Sequence, residues 1–154
     1  MKLKALILML CCLLPTLLCA QQEKKVKDIF DTYGKQDGVV MVQLASDILQ
    51  PKTRISYYRS LVANKTNDKL KADVLLLLAN KALAKHMVSE VKKNGEVVNA
   101  VCAIPLDGNK NDYEYILFDN RAKTTFVYMR GNFHPDKLND ELKKLKELFL
   151  YINN

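Results

Sequence analysis

Few residues in this chain have a type and spacing that could do chemistry. The two histidines, His86 and His134, stand far apart, and neither joins a Cys, Asp or Glu at zinc-ligand spacing. His134 reads more simply as the residue before Pro135 at a helix start. Ser46, Ser56, Ser60 and Ser89 fall in no Gly-x-Ser-x-Gly setting. The glycines at 34, 38, 95, 108 and 131 form no phosphate-cradling cluster and read as turns. The run Asp107-Gly108-Asn109-Lys110-Asn111-Asp112 places oxygen-bearing side chains at positions one, three and five, as a calcium loop does. The match then fails, because Asp112 stands at position six where the turn needs Gly, and Phe118 at position twelve where a bidentate Glu belongs. A polar hairpin loop is the expectation, with no metal and no cofactor. What remains is a surface rather than a catalytic set: Lys52, Arg54, Tyr57, Tyr58 and Arg59 alternate cationic and aromatic groups. Tyr and Arg are enriched at binding hot spots because they combine large area with directional hydrogen bonds. Arg54, Tyr57, Tyr58 and Arg59 are therefore the candidate partner-binding residues, against the alternative of one core Tyr among solvated cations.

The elements that must position them belong to a chain of 154 residues, 49% hydrophobic, with a net charge of +7. That length suits one domain, and the apolar content argues against general disorder. Residues 1–20 read as a secretory signal peptide. Lys2 and Lys4 supply the positive start, Ala5 to Leu14 the apolar run, Pro15 and Thr16 a break, and Leu18-Cys19-Ala20 a short end before Gln21. The run is too short to span a bilayer, which takes about 20 residues. Cleavage after Ala20 is expected; a lipidated start would need a small residue before Cys19 or Cys11, and both follow Leu. Cleavage leaves residues 21–154 as a single α+β domain with a net charge of +5. Export argues against a nucleic-acid partner, and no stable membrane span remains. Cys11, Cys12 and Cys19 leave with the leader, so Cys102 has no cysteine to pair with in the same chain.

Val26, Ile29, Phe30 and Tyr33 recur at helical spacing up to Gly34, which predicts a helix over 23–34. Asp37-Gly38 turns the chain into a strand, Val39 to Leu44. Pro51 breaks a helix begun at Ser46-Asp47, and Thr53 to Ala63 is expected to resume it, placing the Tyr/Arg set on one helix. Residues 68–85 favour a helix by composition, although Val74 to Leu78 would also suit a buried strand. Asn94-Gly95 predicts a type I′ hairpin that pairs Lys93 with Glu96, Val91 with Val98, Ser89 with Ala100 and Met87 with Cys102. Cys102 then points inward as a small core residue. Tyr113 to Phe118 and Thr124 to Met129 read as two strands joined by a turn of two or three residues. Pro135 opens a last helix whose apolar stripe is Leu138, Leu142, Leu145, Phe149 and Ile152, with Lys137, Glu141, Lys144 and Glu147 toward solvent. The expected fold is α+β: a mainly antiparallel meander of about four to five strands with helices packed on one face.

The segments Ile29-Phe30-Asp31-Thr32-Tyr33, Asp37-Gly38-Val39 and Val127-Tyr128-Met129-Arg130-Gly131-Asn132-Phe133, in this order of elements, resemble a family of small exported Bacteroidota proteins of unknown function. The resemblance implies an exported α+β domain and supplies no catalytic residues. The function expected is that of a periplasmic or surface-associated binding or accessory domain whose partner is an envelope protein or glycan. A small envelope hydrolase or transferase using dispersed carboxylates is the alternative.

Overall fold

A computed structural model describes residues 21–106, 108 and 110–152. The expected leader, and Asp107 and Asn109 of the loop tested for calcium, lie outside the described residues. Helix α1 is described over 21–33. It is followed by β1 (Val39–Ala45), a single turn α2 (Ser46–Leu49), β2 (Ile55–Ala63), α3 (Asp68–Leu78) and a second single turn α4 (Lys81–Ala84). Then come β3 (Met87–Lys93), β4 (Glu96–Pro105), β5 (Asp112–Asp119), β6 (Thr124–Asn132), a 3-10 turn (Pro135–Lys137) and α5 (Leu138–Ile152). Among the described residues the sheet has six strands, not four to five, in the order β1-β2-β6-β5-β4-β3, with every neighbouring pair antiparallel. Strands β3 to β6 form the expected meander. The departure is β2, which pairs with β6 and makes the chain cross to the opposite edge through α3 and α4 before β3 begins.

The extra strand comes from Ile55 to Ala63, expected as a helix. Its side chains alternate between two apolar environments: Tyr57 and Leu61 belong to one cluster, Ile55 and Tyr58 to the other. A helix presents one apolar stripe, whereas a strand covered on both sides needs apolar residues at successive positions. Aromatic and β-branched residues at Ile55, Tyr57, Tyr58 and Val62 fit that demand. The turn begun at Ser46 does end before Pro51, at Leu49; the Gln50–Pro51 peptide bond is cis. Val74 to Leu78, open between helix and strand, is helical; Asn67 caps α3 by accepting from the Leu70 N–H, and Asn80 separates it from α4.

Helices cover both faces of the sheet, not one. On the first, Val26, Ile29, Phe30 and Tyr33 of α1 and Leu70, Val74 and Leu77 of α3 pack on Leu61, Ala100, Cys102, Ile116, Phe118 and Phe126. The Phe30 and Phe126 ring centroids lie 5.2 Å apart, and Tyr33 donates to Asp73 at 2.6 Å, joining α1 to α3. On the second, Leu138, Leu145 and Leu148 of α5 pack with Leu49 and Phe133 on Ile55, Tyr58, Tyr115, Val127 and Met129. Tyr115 stacks on Phe133 at 4.7 Å and donates its hydroxyl to the Phe133 carbonyl at 2.6 Å. Gly131 serves this packing and not a turn: a Cβ there would sit 2.3 Å from the Phe133 ring.

The Asn94-Gly95 hairpin forms with positive φ at both residues. Its ends match expectation, Lys93 with Glu96 and Met87 with Cys102, but a one-residue shift enters between Val91 and Lys92 and is reversed between Met87 and Ser89. Val91 therefore faces Asn99 and Ser89 faces Val101. Bulges of this kind are common at sheet edges, where one side of the strand is unconstrained. The β5–β6 connection spans four residues, 120–123. Its Asn120 is buried, its N–H bonding the Val98 carbonyl and its side chain accepting from Thr124.

The largest departure in α5 is Glu141, expected in solvent and only 3% exposed. Its carboxylate accepts from the Arg54 N–H at 2.8 Å and from Lys144 Nζ at 2.7 Å. The buried line runs through Leu138, Glu141, Leu145 and Leu148, leaving Ile152 exposed. Burial alone would raise the Glu141 pKa; the Arg54 N–H and the Lys144 ammonium outweigh it and hold the carboxyl below its ordinary 4.5. A depressed carboxylate stabilises the fold above its unfolded-state pKa, and that contribution is lost as pH falls through the folded value. Glu141→Gln, which exchanges a charge-assisted bond for a neutral one, should cost about 1–2 kcal/mol at pH 7. In urea unfolding the gap from the wild type should narrow as the pH falls below the ordinary 4.5 and through the depressed folded-state value.

Cys102 is fully buried with Sγ 3.7 Å from Met87 Sδ, and burial, with Glu90 adding to it, pushes its pKa up to about 11. Iodoacetamide labelling mapped to the Cys102 peptide should be slow in the native protein and fast in denaturant. Equal rates would mean that the first face is open.

Candidate functional site

Strand geometry divides the four candidate residues. Tyr57 and Arg59, two apart, share the α1 face; Tyr58 points to the α5 face, where it is buried edge-on against Phe149 at 5.8 Å. Arg54 lies before the strand and is exposed, its backbone tied to Glu141 and, through its carbonyl, to the Asn132 N–H. Lys52 extends over the Tyr151 ring at 4.0 Å. Only Tyr57 and Arg59 therefore come together.

They meet a second pair that sequence reasoning missed. The register sets Tyr57 opposite Arg130 and Arg59 opposite Tyr128, so two Tyr-x-Arg segments on adjacent antiparallel strands form a quartet on one face. The signal was present as the repeated spacing Tyr57-x-Arg59 and Tyr128-x-Arg130, but it acquires meaning only once β2 is known to pair with β6. The quartet floors an open groove of about 720 Å³, walled by Glu23, Lys24, Val26, Lys27 and Phe30 of α1 and by Ser56. The Tyr57 and Tyr128 rings meet edge-on at 6.1 Å.

The two arginines are held differently. Arg130 donates Nε to the Tyr128 hydroxyl at 2.7 Å, and its Nη2 contacts Glu114 at 2.8 Å and Glu23 at 2.5 Å. Tyr128 in turn donates to Glu114 at 2.9 Å, and burial, followed by the Glu114 charge, drives its phenol far above the ordinary value. Arg130 is thus matched by two carboxylates. Arg59 lies over the Phe30 ring at 4.5 Å, with Nη2 3.7 Å from both Asp31 Oδ1 and Met41 Sδ. Asp31 is already engaged by Lys27 at 2.6 Å, and that bond holds its pKa below the usual carboxylate range. The Arg59 Nε is buried without a hydrogen-bond partner among the described residues. Lys24 adds a further cation to the wall. The groove therefore combines apolar and aromatic walls with positive charge in excess of its carboxylates, a combination that suits an anionic group carried on a ring or apolar body.

The remaining candidates stay apart from it. His134 Nδ1 lies 3.4 Å from the Asp136 N–H at the start of the last helix. Ser89 and Lys92, whose Ser-x-x-Lys spacing sequence reasoning also missed, lie on an edge strand, with Lys92 bonded to Glu90 at 3.0 Å. Among the described residues no three His, Cys, Asp or Glu side chains gather as metal ligands, and no helix is long and apolar enough to cross a membrane.

No curated protein and no solved structure matches the chain. A model of a family of unknown function, DUF6108, matches residues 13–142, a span holding both Tyr-x-Arg segments and all six strands, and the chain belongs to that family.

Proposed function

We propose that the protein is an exported binding or accessory domain of the periplasm or outer surface, acting without catalysis, and that it captures an envelope protein or glycan through an anionic group seated in the Tyr57–Arg59–Tyr128–Arg130 groove. The observation that carries this reading is the contrast between the two arginines, one matched by carboxylates and one sharing a single carboxylate with Lys27. Export rests on the order of charge, apolar run and small residue in 1–20, and on the resemblance to exported Bacteroidota proteins. A second reading, a small envelope hydrolase or transferase, rests on Glu23 and Glu114, which approach the same Arg130 nitrogen. Both carboxylates are engaged in neutralising that arginine, and among the described residues the groove lining offers Ser56 as its only aliphatic hydroxyl, which favours binding.

The test is capture of the cross-linked partner from the native envelope, followed by titration of that partner. Arg59→Gln removes one charge-assisted hydrogen bond and should weaken binding roughly ten- to hundredfold. Tyr57→Ala should weaken it too, with a loss of stability smaller than that of the buried Tyr58 because Tyr57 is only half-buried. Tyr58→Ala should instead destabilise by about 3 kcal/mol through the lost core ring, without acting on the groove. Undiminished capture by Arg59→Gln would overturn the proposal, and turnover of an envelope substrate abolished by Glu114→Gln would establish the second reading.

A further inference from the structure

The sheet has two outer strands, β1 and β3, and they are built differently. β3 carries the features that keep edges from pairing: two register shifts against β4, and the charged residues Glu90, Lys92 and Lys93. β1 has none of them. Its seven residues, Val39–Ala45, include no charge and no proline, and they pair with β2 residue for residue without a shift. Val40 is 61% exposed and Met41 38%. No described strand lies along the outer side of β1, so its outward N–H and C=O groups form an uncharged template on a strand without a bulge.

We infer that β1 is a docking edge and that its occupant is β1 of a second copy of this chain, antiparallel about a two-fold axis at Val42. In that register Val40 of each copy meets Leu44 of the other, Met41 meets Gln43, and Val39 meets Ala45. Every pair is uncharged, so the strand does not repel itself, and it carries no charge with which to select a partner of opposite sign. The row Val40, Val42 and Leu44 lies on the α5 face, where Val42 and Leu44 already pack against the second core cluster. Joining two such rows covers the exposed Val40. The pairing is isologous and closes at two copies, since the outer strands of the resulting twelve-stranded sheet are both the charged, bulged β3.

The full-length gene product, expressed so that any processing takes place, should sediment at twice the monomer mass at tens of micromolar. Val40→Lys, placed where the side chain is largely exposed, should yield a folded monomer with the far-ultraviolet circular dichroism of the wild type and a melting temperature that no longer depends on protein concentration. Val91→Lys on β3 should remain a dimer, because β3 takes no part in the contact. Val42→Cys should form an interchain disulfide, identified as a peptide joined to itself at position 42. A monomeric wild type, a dimer that survives Val40→Lys, or one lost in Val91→Lys would overturn the inference.

Discussion

Strand β2 is covered on both faces, and the rest of the molecule is arranged around that constraint. A residue in the middle of such a strand has no solvent side, so every position must meet a helix or a groove wall. Leu61 and Ala63 meet α1 and α3, while Ile55 and Tyr58 meet the α5 side. The start of the strand is fixed by Glu141, whose carboxylate reaches from α5 to the Arg54 N–H. A buried carboxylate is costly unless its lone pairs are met; here a backbone donor and the Lys144 ammonium meet them. The same contact ties the last helix to the strand that carries half of the groove.

Because β2 alternates, its aromatic and cationic residues are separated by role. Tyr58 contributes core area, and Tyr57 and Arg59 contribute a surface. Pairing with β6 then doubles that surface, since an antiparallel neighbour with the same Tyr-x-Arg spacing sets each Tyr against the other strand's Arg. The α1 helix closes one side and supplies both Glu23, one of the two carboxylates that restrain Arg130, and the Phe30 ring beneath Arg59. The groove is thus a product of three segments distant in sequence, and its electrostatic asymmetry comes from where carboxylates fall on the helix and on β5.

The two edges of the sheet express a related asymmetry. The bulges in β3 move its residues out of the expected register and add twist, and its charges disfavour close approach of another strand. β1 lies beside the doubly covered β2 and keeps an unbroken register along its whole length. A regular edge without charge is the less common arrangement in a protein that stays monomeric.

Local chemistry made much of this fold legible. The α1 stripe, strand β1, the Asn94-Gly95 hairpin and the inward Cys102 each follow from periodicity or turn residues within a few positions, and each is present; the helix expected over 68–85 is present too, but divided at Asn80 into Asp68–Leu78 and Lys81–Ala84. The belonging of Thr53 to Ala63 to a strand was not legible, because two-sided burial removes the polar alternation by which a strand is recognised. Glu141 looked solvent-facing for a similar reason: the donor that buries it is a backbone N–H 87 residues earlier. The sequence by itself determined which segments are apolar, where the turns fall and which residue types were available for a site. Only the tertiary structure decided that β2 lies beside β6, and hence that Tyr57 and Arg59 face Arg130 and Tyr128 while Tyr58 does not. Strand pairing is a long-range choice set by which faces must be buried together, and no local pattern encodes it.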